Sequence, residues 1–166
     1  MSETPKIKHE PPKREKKIAD SITVKLRKDI LEIEIKPKRI KVKVRPESIK
    51  KAANFFKNKL NIDHVASVSG IDYPNDNEIE IVYHTGTYKH KDLSDLVIAL
   101  AFRISRETPK TPSLTEIWPS TEFDERETYE MLGVIFESHP KLEKLFLPED
   151  WDDIPPLRKD FKNPRR

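Results

Sequence analysis

Prolines are unevenly spread along this chain of 166 residues: eight of the fourteen lie from Pro109 onward, and five of those between Pro140 and Pro164. Each removes a backbone donor and steers the preceding residue away from helical geometry, so the last third of the chain cannot build long regular elements. Upstream the pattern is different. Leu31, Ile33 and Ile35 alternate with Glu32, Glu34 and Lys36, and beyond Pro37 the residues Ile40, Val42 and Val44 alternate with lysines. A period of two marks two strands with one buried face each, joined at Pro37.

Pro46 suits the first turn of a helix, where its fixed φ fits and its missing N–H costs nothing. Ile49, Ala52, Ala53, Phe56 and Leu60 then recur at helical spacing, predicting an amphipathic helix over 47–60 with a lysine-rich outer face. A third strand is expected over Val65–Ile71. A fourth is expected over Ile79–Thr85, where Ile79, Ile81 and Tyr83 share a face, and the DYPNDNE link between the two is rich in turn formers. Residues 93–104 satisfy two templates: Leu93, Leu96, Val97, Leu100 and Ile104 fit a helix, whereas Leu96, Ile98, Leu100, Phe102 and Ile104 fit a strand. Residues 18–27 are also open between a short helix and an edge strand, and residues 1–17, with three prolines among charges, read as extended. Beyond Pro109 one short helix is marked, capped by Ser120 or Thr121, with Asp124 completing a capping box and Gly133 as a left-handed stop. The elements add up to an α+β fold: a small mixed sheet with one or two packed helices, then a capped short helix and an extended proline-rich strap.

Composition narrows the function. Hydrophobic residues make up 35% and charged residues 37%, so the core is modest and the surface heavily charged. The longest apolar run, Leu96–Phe102, falls far short of the ~18 residues a membrane span needs. The N-terminus lacks the apolar stretch of a secretory signal, which makes the cytoplasm the default location. With no cysteine, this chain offers no disulfide, no thiolate and no cysteine ligand for an iron–sulfur cluster. Glutamine is absent and methionine occurs twice while lysine and glutamate abound, a bias typical of proteins from hot environments. The net charge is +3 and the pI about 8.9, with a basic excess in residues 1–17 and at Arg165 and Arg166; these ends suit either an acidic partner or solvent.

The chemistry-bearing residues crowd toward the C-terminus. Arg126 has Glu122 four positions before it and Glu130 four after, the spacing of a charge ladder on one helix face, or of a guanidinium offered to a partner. Glu125 and Glu127 point in different directions and have no nucleophile beside them, so they are not an acid–base pair. The five histidines show no ligand spacing, and His139 before Pro140 suits a capping or interface hydrogen bond. Trp118 and Trp151 sit among prolines and acids rather than in apolar runs, which suits interface anchors; the alternative is that they fold back onto the chain's own sheet. In the run PLRKDF, Leu157 and Phe161 are expected to pin the segment, with Arg158 and Asp160 paired across an interface. No glycine-rich phosphate loop, C-x-x-C or nucleophile elbow occurs.

The residues Glu125–Arg126–Glu127, Gly133, His139–Pro140, PEDW at Pro148 to Trp151 and PLRKDF at Pro156 to Phe161 resemble the thirty-kilodalton subunit family of respiratory complex I, also called the C-subunit family. It includes the corresponding members of archaeal membrane-bound hydrogenase and sulfane reductase complexes. The resemblance spans roughly residues 30–161 and is strongest from Trp118 onward; Glu143–Lys144 stands where the family has a basic pair. It selects a strand for residues 93–104. It implies a non-catalytic subunit of the hydrophilic arm of a complex-I-like oxidoreductase, on the cytoplasmic face of the membrane and attached only through the complex. It would carry no cofactor of its own, while partner subunits hold the iron–sulfur clusters and any nickel–iron site. The strap would wrap the large D-subunit homologue through Trp118, Glu125, Arg126, Glu127, Tyr129, Gly133, His139, Pro140, Trp151, Leu157, Arg158, Lys159, Asp160 and Phe161. The expected organisation is a basic extended segment over 1–27, an α/β domain over 28–117 and a signature helix with a partner-wrapping extension over 118–166. The composition favours a ferredoxin-linked hydrogenase or sulfane reductase over a quinone-reducing NADH dehydrogenase. A basic RNA-binding module is the reading from another class; with only two adjacent cations in PLRKDF and no stacking platform, no nucleic acid is expected.

Overall fold

A computed structural model of the chain describes residues 12–162. Ten elements follow in order: α1 (Lys13–Leu26), β1 (Ile30–Lys36), β2 (Arg39–Val44), α2 (Ile49–Lys59), β3 (His64–Tyr73), β4 (Glu78–Gly86), β5 (Val97–Ser105), β6 (Lys110–Pro112), α3 (Glu122–Leu132) and β7 (Ile135–Glu137). Five strands form one sheet in the order β1-β2-β5-β4-β3. Only the β2–β5 pair is parallel; the other pairs are antiparallel, so the sheet is mixed as expected.

Alternation decides which face is buried. Ile40, Val42 and Val44 of β2, Ile98, Leu100 and Phe102 of β5, and Ile79, Ile81 and Tyr83 of β4 all point to one side. There they meet Ala19, Ile22 and Leu26 of α1 and Ile49, Ala52, Ala53 and Phe56 of α2 in a single apolar cluster. The other face carries small apolar residues, Val82, Ala99 and Ala101, roofed by charged chains such as Lys41 and Arg103 that both bind the buried Glu80.

Several expectations need correction. Residues 13–26 are helical, which resolves 18–27 in favour of helix and removes 13–17 from the extended segment; the remaining part of that segment, 1–11, lies outside the described residues, as do Arg165 and Arg166. The α1 helix forms because Ala19, Ile22 and Leu26 make a stripe that the sheet buries. Leu31 does not share the inward face of Ile33 and Ile35, since a bulge between Ile30 and Glu32 turns it out to 56% exposure. Residues 93–104 divide into a single 3-10 turn at Lys91–Leu93 and the strand β5. A small parallel sheet, β6 with β7, was not foreseen. It joins the two sides of the expected boundary at 117/118, and Trp118, Leu132, Val134 and Phe136 belong to the same cluster as the main sheet.

Gly70 of β3 sets the seat of α3. A Cβ there would lie 2.1 Å from the Leu132 side chain, so the strand offers its bare backbone to the helix.

Candidate docking site

The α3 helix begins without the predicted capping box. Thr121 is itself in helical geometry and its hydroxyl donates to the Trp118 carbonyl at 3.0 Å, because a 3-10 turn over Pro119–Thr121 runs directly into the helix. Ser120 Oγ is also engaged elsewhere, accepting the Val65 N–H at 3.1 Å. Asp124 lies against β3, where burial and the nearby Glu127 raise its pKa, partly offset by the Val68 N–H. At the far end Gly133 takes φ 76° and closes the helix, as expected. A side chain at 133 would be strained by that φ and would also meet Pro155 at 3.2 Å and Arg158 at 3.3 Å.

Glu125 anchors α3 to the sheet from inside. Its carboxylate is fully buried and accepts hydrogen bonds from Tyr83 Oη (2.9 Å), Ser113 Oγ (2.6 Å) and the Leu114 N–H (2.9 Å). Burial raises its pKa, and the three donors work in the opposite direction. Trp118 is buried as completely, with Nε1 donating to the Ile62 carbonyl at 3.0 Å. Both were expected at an interface. Neither can touch a partner directly, because each is enclosed by its own chain.

Arg126 is a further correction. It forms no ladder with Glu122 or Glu130. Its Nε donates to the Glu143 carbonyl at 2.9 Å and an Nη to the Lys144 carbonyl at 3.2 Å, leaving it 7% exposed. One turn on, the Glu130 carboxylate accepts from the Phe146 N–H (3.0 Å) and the Leu147 N–H (2.5 Å). The guanidinium takes the strap's carbonyls and the carboxylate takes its N–H groups. The pair spaced for a ladder grips a length of backbone instead.

The rest of the strap is held in the same manner. His139 Nε2 bonds the Glu122 carbonyl at 3.0 Å while its Nδ1 accepts the Lys141 N–H, so the imidazole clips the chain after β7 to the start of α3. The Leu157 N–H donates to the Met131 carbonyl (2.9 Å) and Arg158 Nε to the Leu132 carbonyl (2.8 Å), satisfying acceptors that a helix end leaves free. Asp160 pairs with Arg106 at 2.7 Å, and Arg106 also holds Asp72 of β3 through two nitrogens at 2.7 and 3.1 Å. The Lys159 N–H donates to that same Asp72 carboxylate at 2.8 Å. Burial pushes the Asp72 carboxyl up, but Arg106 and the Lys159 N–H outweigh it and hold the pKa below its ordinary value. The predicted pairing of Arg158 with Asp160 across an interface is thus replaced by bonds within the chain.

Residues 148–154 form a loop, and the flanking Phe146, Leu147 and Leu157 bond the last turn of α3. Lys144 Nζ fills its interior, donating to the carbonyls of Pro148, Glu149 and Trp151 at 3.3, 3.1 and 2.8 Å. Trp151 packs on Phe161 with ring centroids 5.9 Å apart. Of the other predicted residues, Tyr129 is half-buried, and Glu127 and Pro140 are exposed. The side chains left facing outward include Phe123, Phe146, Ile154 and Leu157, of which sequence reasoning singled out only Leu157. Phe146 carries the same sequence signal as Trp118 and Trp151, an aromatic among charges and prolines. Among the described residues no group of three or more His, Asp or Glu side chains could hold a metal ion, and no helix is long and apolar enough to cross a membrane.

This chain matches known proteins over most of its length. The family model described as respiratory-chain NADH dehydrogenase, 30 Kd subunit, matches residues 42–166. The C subunit of the F(420)H(2) dehydrogenase of Methanosarcina mazei is 38% identical over 146 residues, which is 87% of this chain and 90% of that protein. The C subunit of the NADH-quinone oxidoreductase of Roseiflexus castenholzii is 37% identical over 124 residues, covering 73% and 68%. In fold, a chain from the membrane-bound sulfane sulfur reductase, an archaeal respiratory membrane complex, superposes with a TM-score of 0.79 over 92% of this chain and 88% of that one, at 24% identity.

Proposed function

Because this chain belongs to the family of the respiratory-chain NADH dehydrogenase 30 kDa subunit, we propose that it is a non-catalytic subunit of a complex-I-like, membrane-associated oxidoreductase. Its place is the hydrophilic arm at the cytoplasmic face of the membrane, docked on the large D-subunit homologue through α3 and the strap. Electrons and protons are handled by partner subunits, and this chain supplies a shaped surface that holds them in register. The observation that carries the reading is the use made of the signature residues. Arg126, Glu130, His139, Arg158 and Asp160 are all engaged in fixing the strap on α3 and on Arg106, while apolar side chains are left outward. Preorganising an exposed segment in this way serves binding, since the ordering entropy is lost at folding rather than at association.

Two electron-input classes remain in view. The charged, glutamine-free composition and the fold likeness fit a ferredoxin-linked hydrogenase or sulfane reductase. A relative that covers 87% of this chain, reaching beyond the family match, is a subunit of an F(420)H(2) dehydrogenase, which favours an F(420)H(2)-linked complex as the second reading.

The test is recovery of the assembly. Tagged full-length chain produced alongside its sibling subunits should bring down the large subunit in equal amount from solubilised membranes. Chain recovered alone, with the rest of the complex intact without it, would overturn the proposal.

A further inference from the structure

Resting on that reading, we infer that the strap loop docks into an apolar depression rimmed by arginine or lysine on the sibling subunit. Phe146 and Leu157 are its anchors, and the acidic loop between them selects the partner.

The geometry begins at the last turn of α3. The Phe146 N–H is bound by the Glu130 carboxylate and the Leu157 N–H by the Met131 carbonyl, so the two residues flanking the loop are held at adjacent positions of one helix. Their backbones are fixed, yet their side chains are 69% and 56% exposed. A leucine and a phenylalanine held outward on pinned backbone leave apolar area in water that a partner can cover. The loop they bracket carries Glu149, Asp150, Asp152 and Asp153, all exposed, and none forms an ion pair among the described residues.

Acids alone would make only a solvated loop. Here the cation that enters the loop is turned away from them. Lys144 points its ammonium at the carbonyls of Pro148, Glu149 and Trp151, so it organises the loop's inside and leaves the outward carboxylates uncompensated. The chain as a whole is +3, so this negative surface runs against its average. An apolar pair beside four unpaired carboxylates is complementary to a greasy pocket with a basic rim. It repels nucleic acid and an anionic bilayer, and an uncharged apolar surface would leave its carboxylates desolvated without counter-charges.

The two parts of the surface predict different kinetics. The experiment measures association and dissociation of the full-length chain with the purified large subunit at low and high salt. Glu149→Gln, Asp150→Asn, Asp152→Asn and Asp153→Asn combined should slow association about tenfold or more at low salt and flatten its salt dependence. Phe146→Ser with Leu157→Ser should leave association nearly unchanged and speed dissociation about tenfold or more. Both variants change exposed side chains, and an unchanged melting temperature verifies that they are folded. Association of the neutralised variant at the wild-type rate and salt slope would overturn the basic rim, and wild-type dissociation of the serine variant would overturn the apolar anchors. If the wild-type chain fails to bind at all, the reading of function falls and takes this inference with it. Wild-type binding with unaffected variants sinks this inference alone.

Discussion

The five-stranded sheet and the strap are held together by opposite means. In the sheet, Ile40, Val42, Ile81, Leu100 and Phe102 are each fully buried, and apolar area removed from water stabilises the layer against α1 and α2. The strap buries little apolar surface. Its segments over 143–147 and 157–160 are gripped by charged side chains reaching for backbone: Arg126 and Glu130 on one length, Arg158 and Asp72 on the other. Burial is non-directional and tolerates exchange of one apolar residue for another, whereas a grip on backbone depends on the shape of a guanidinium or carboxylate. The sheet could be rebuilt from many sequences. The strap needs particular residues at particular places.

This contrast breaks if the two regions respond alike to mutation. The largest effect is expected from Phe102→Ala in the sheet, a loss of about 3–5 kcal/mol from transfer and cavity terms together. It should lower the melting temperature of the whole chain, measured by calorimetry or circular dichroism. A smaller and local effect is expected for Arg126→Ala. Two charge-assisted hydrogen bonds to strap carbonyls are lost, at a cost of about 1–3 kcal/mol. Amide exchange should quicken over residues 141–147, while β4 and β5 stay protected. Lysine at 126 should restore only part of the protection, since it cannot reach both carbonyls with a planar fork. Equal quickening in the sheet would show that the strap is integral to the core.

The smallest effect is expected from acid. Asp72 and Asp160 both have depressed pKa values, the first against the push of its own burial, the second chiefly through the Arg106 bond. A carboxyl whose folded pKa lies below its unfolded value adds stability that is fully present above the unfolded pKa, about 3.9, and is lost as pH falls through the folded one. The end of the strap should therefore stay docked at neutral pH and loosen below about pH 4, before the sheet melts. Exchange at the Lys159 amide, whose acceptor is Asp72, reads this directly; protection that persists until global unfolding would show that Arg106 is not the clasp.

Much of the fold was legible because alternation and helical spacing are local. β2, α2, β3 and β4 could be placed within a few residues, and Gly133 announced its own left-handed stop. The bulge that expels Leu31 was hidden, since alternation continues through it in sequence. The β6–β7 pair was hidden because three-residue strands have no period to read. For the site, the sequence marked which residues matter and misled on what they touch. Arg126, Glu122 and Glu130 have ladder spacing, but an acceptor or donor in the backbone of residues 143–147 leaves no trace in side-chain pattern. Trp118 stands among prolines and acids, yet its indole lies in the core, bonded to the Ile62 carbonyl 56 residues upstream, a partner no local pattern announces. Glu125 read as an interface residue for a related reason, its partner Tyr83 being distant in sequence and Ser113 lying outside its own helix.

The parallel pairing of β2 with β5 bears on how the chain folds. The β1–β2 and β3–β4 hairpins close short loops and can form early, but β5 can pair with β2 only after the whole stretch between Val44 and Val97 has been gathered in. Glu125 then needs Tyr83 on the completed sheet before α3 can settle, and the strap needs α3 before its backbone has anything to grip. The outward surface of the strap therefore comes into being last, at the end of a dependent sequence of steps. A copy in which α3 has not settled would lack the grip of Arg126 and Glu130 that shapes it. Any partner that recognises this surface inspects, in the same act, whether the chain behind it has finished folding.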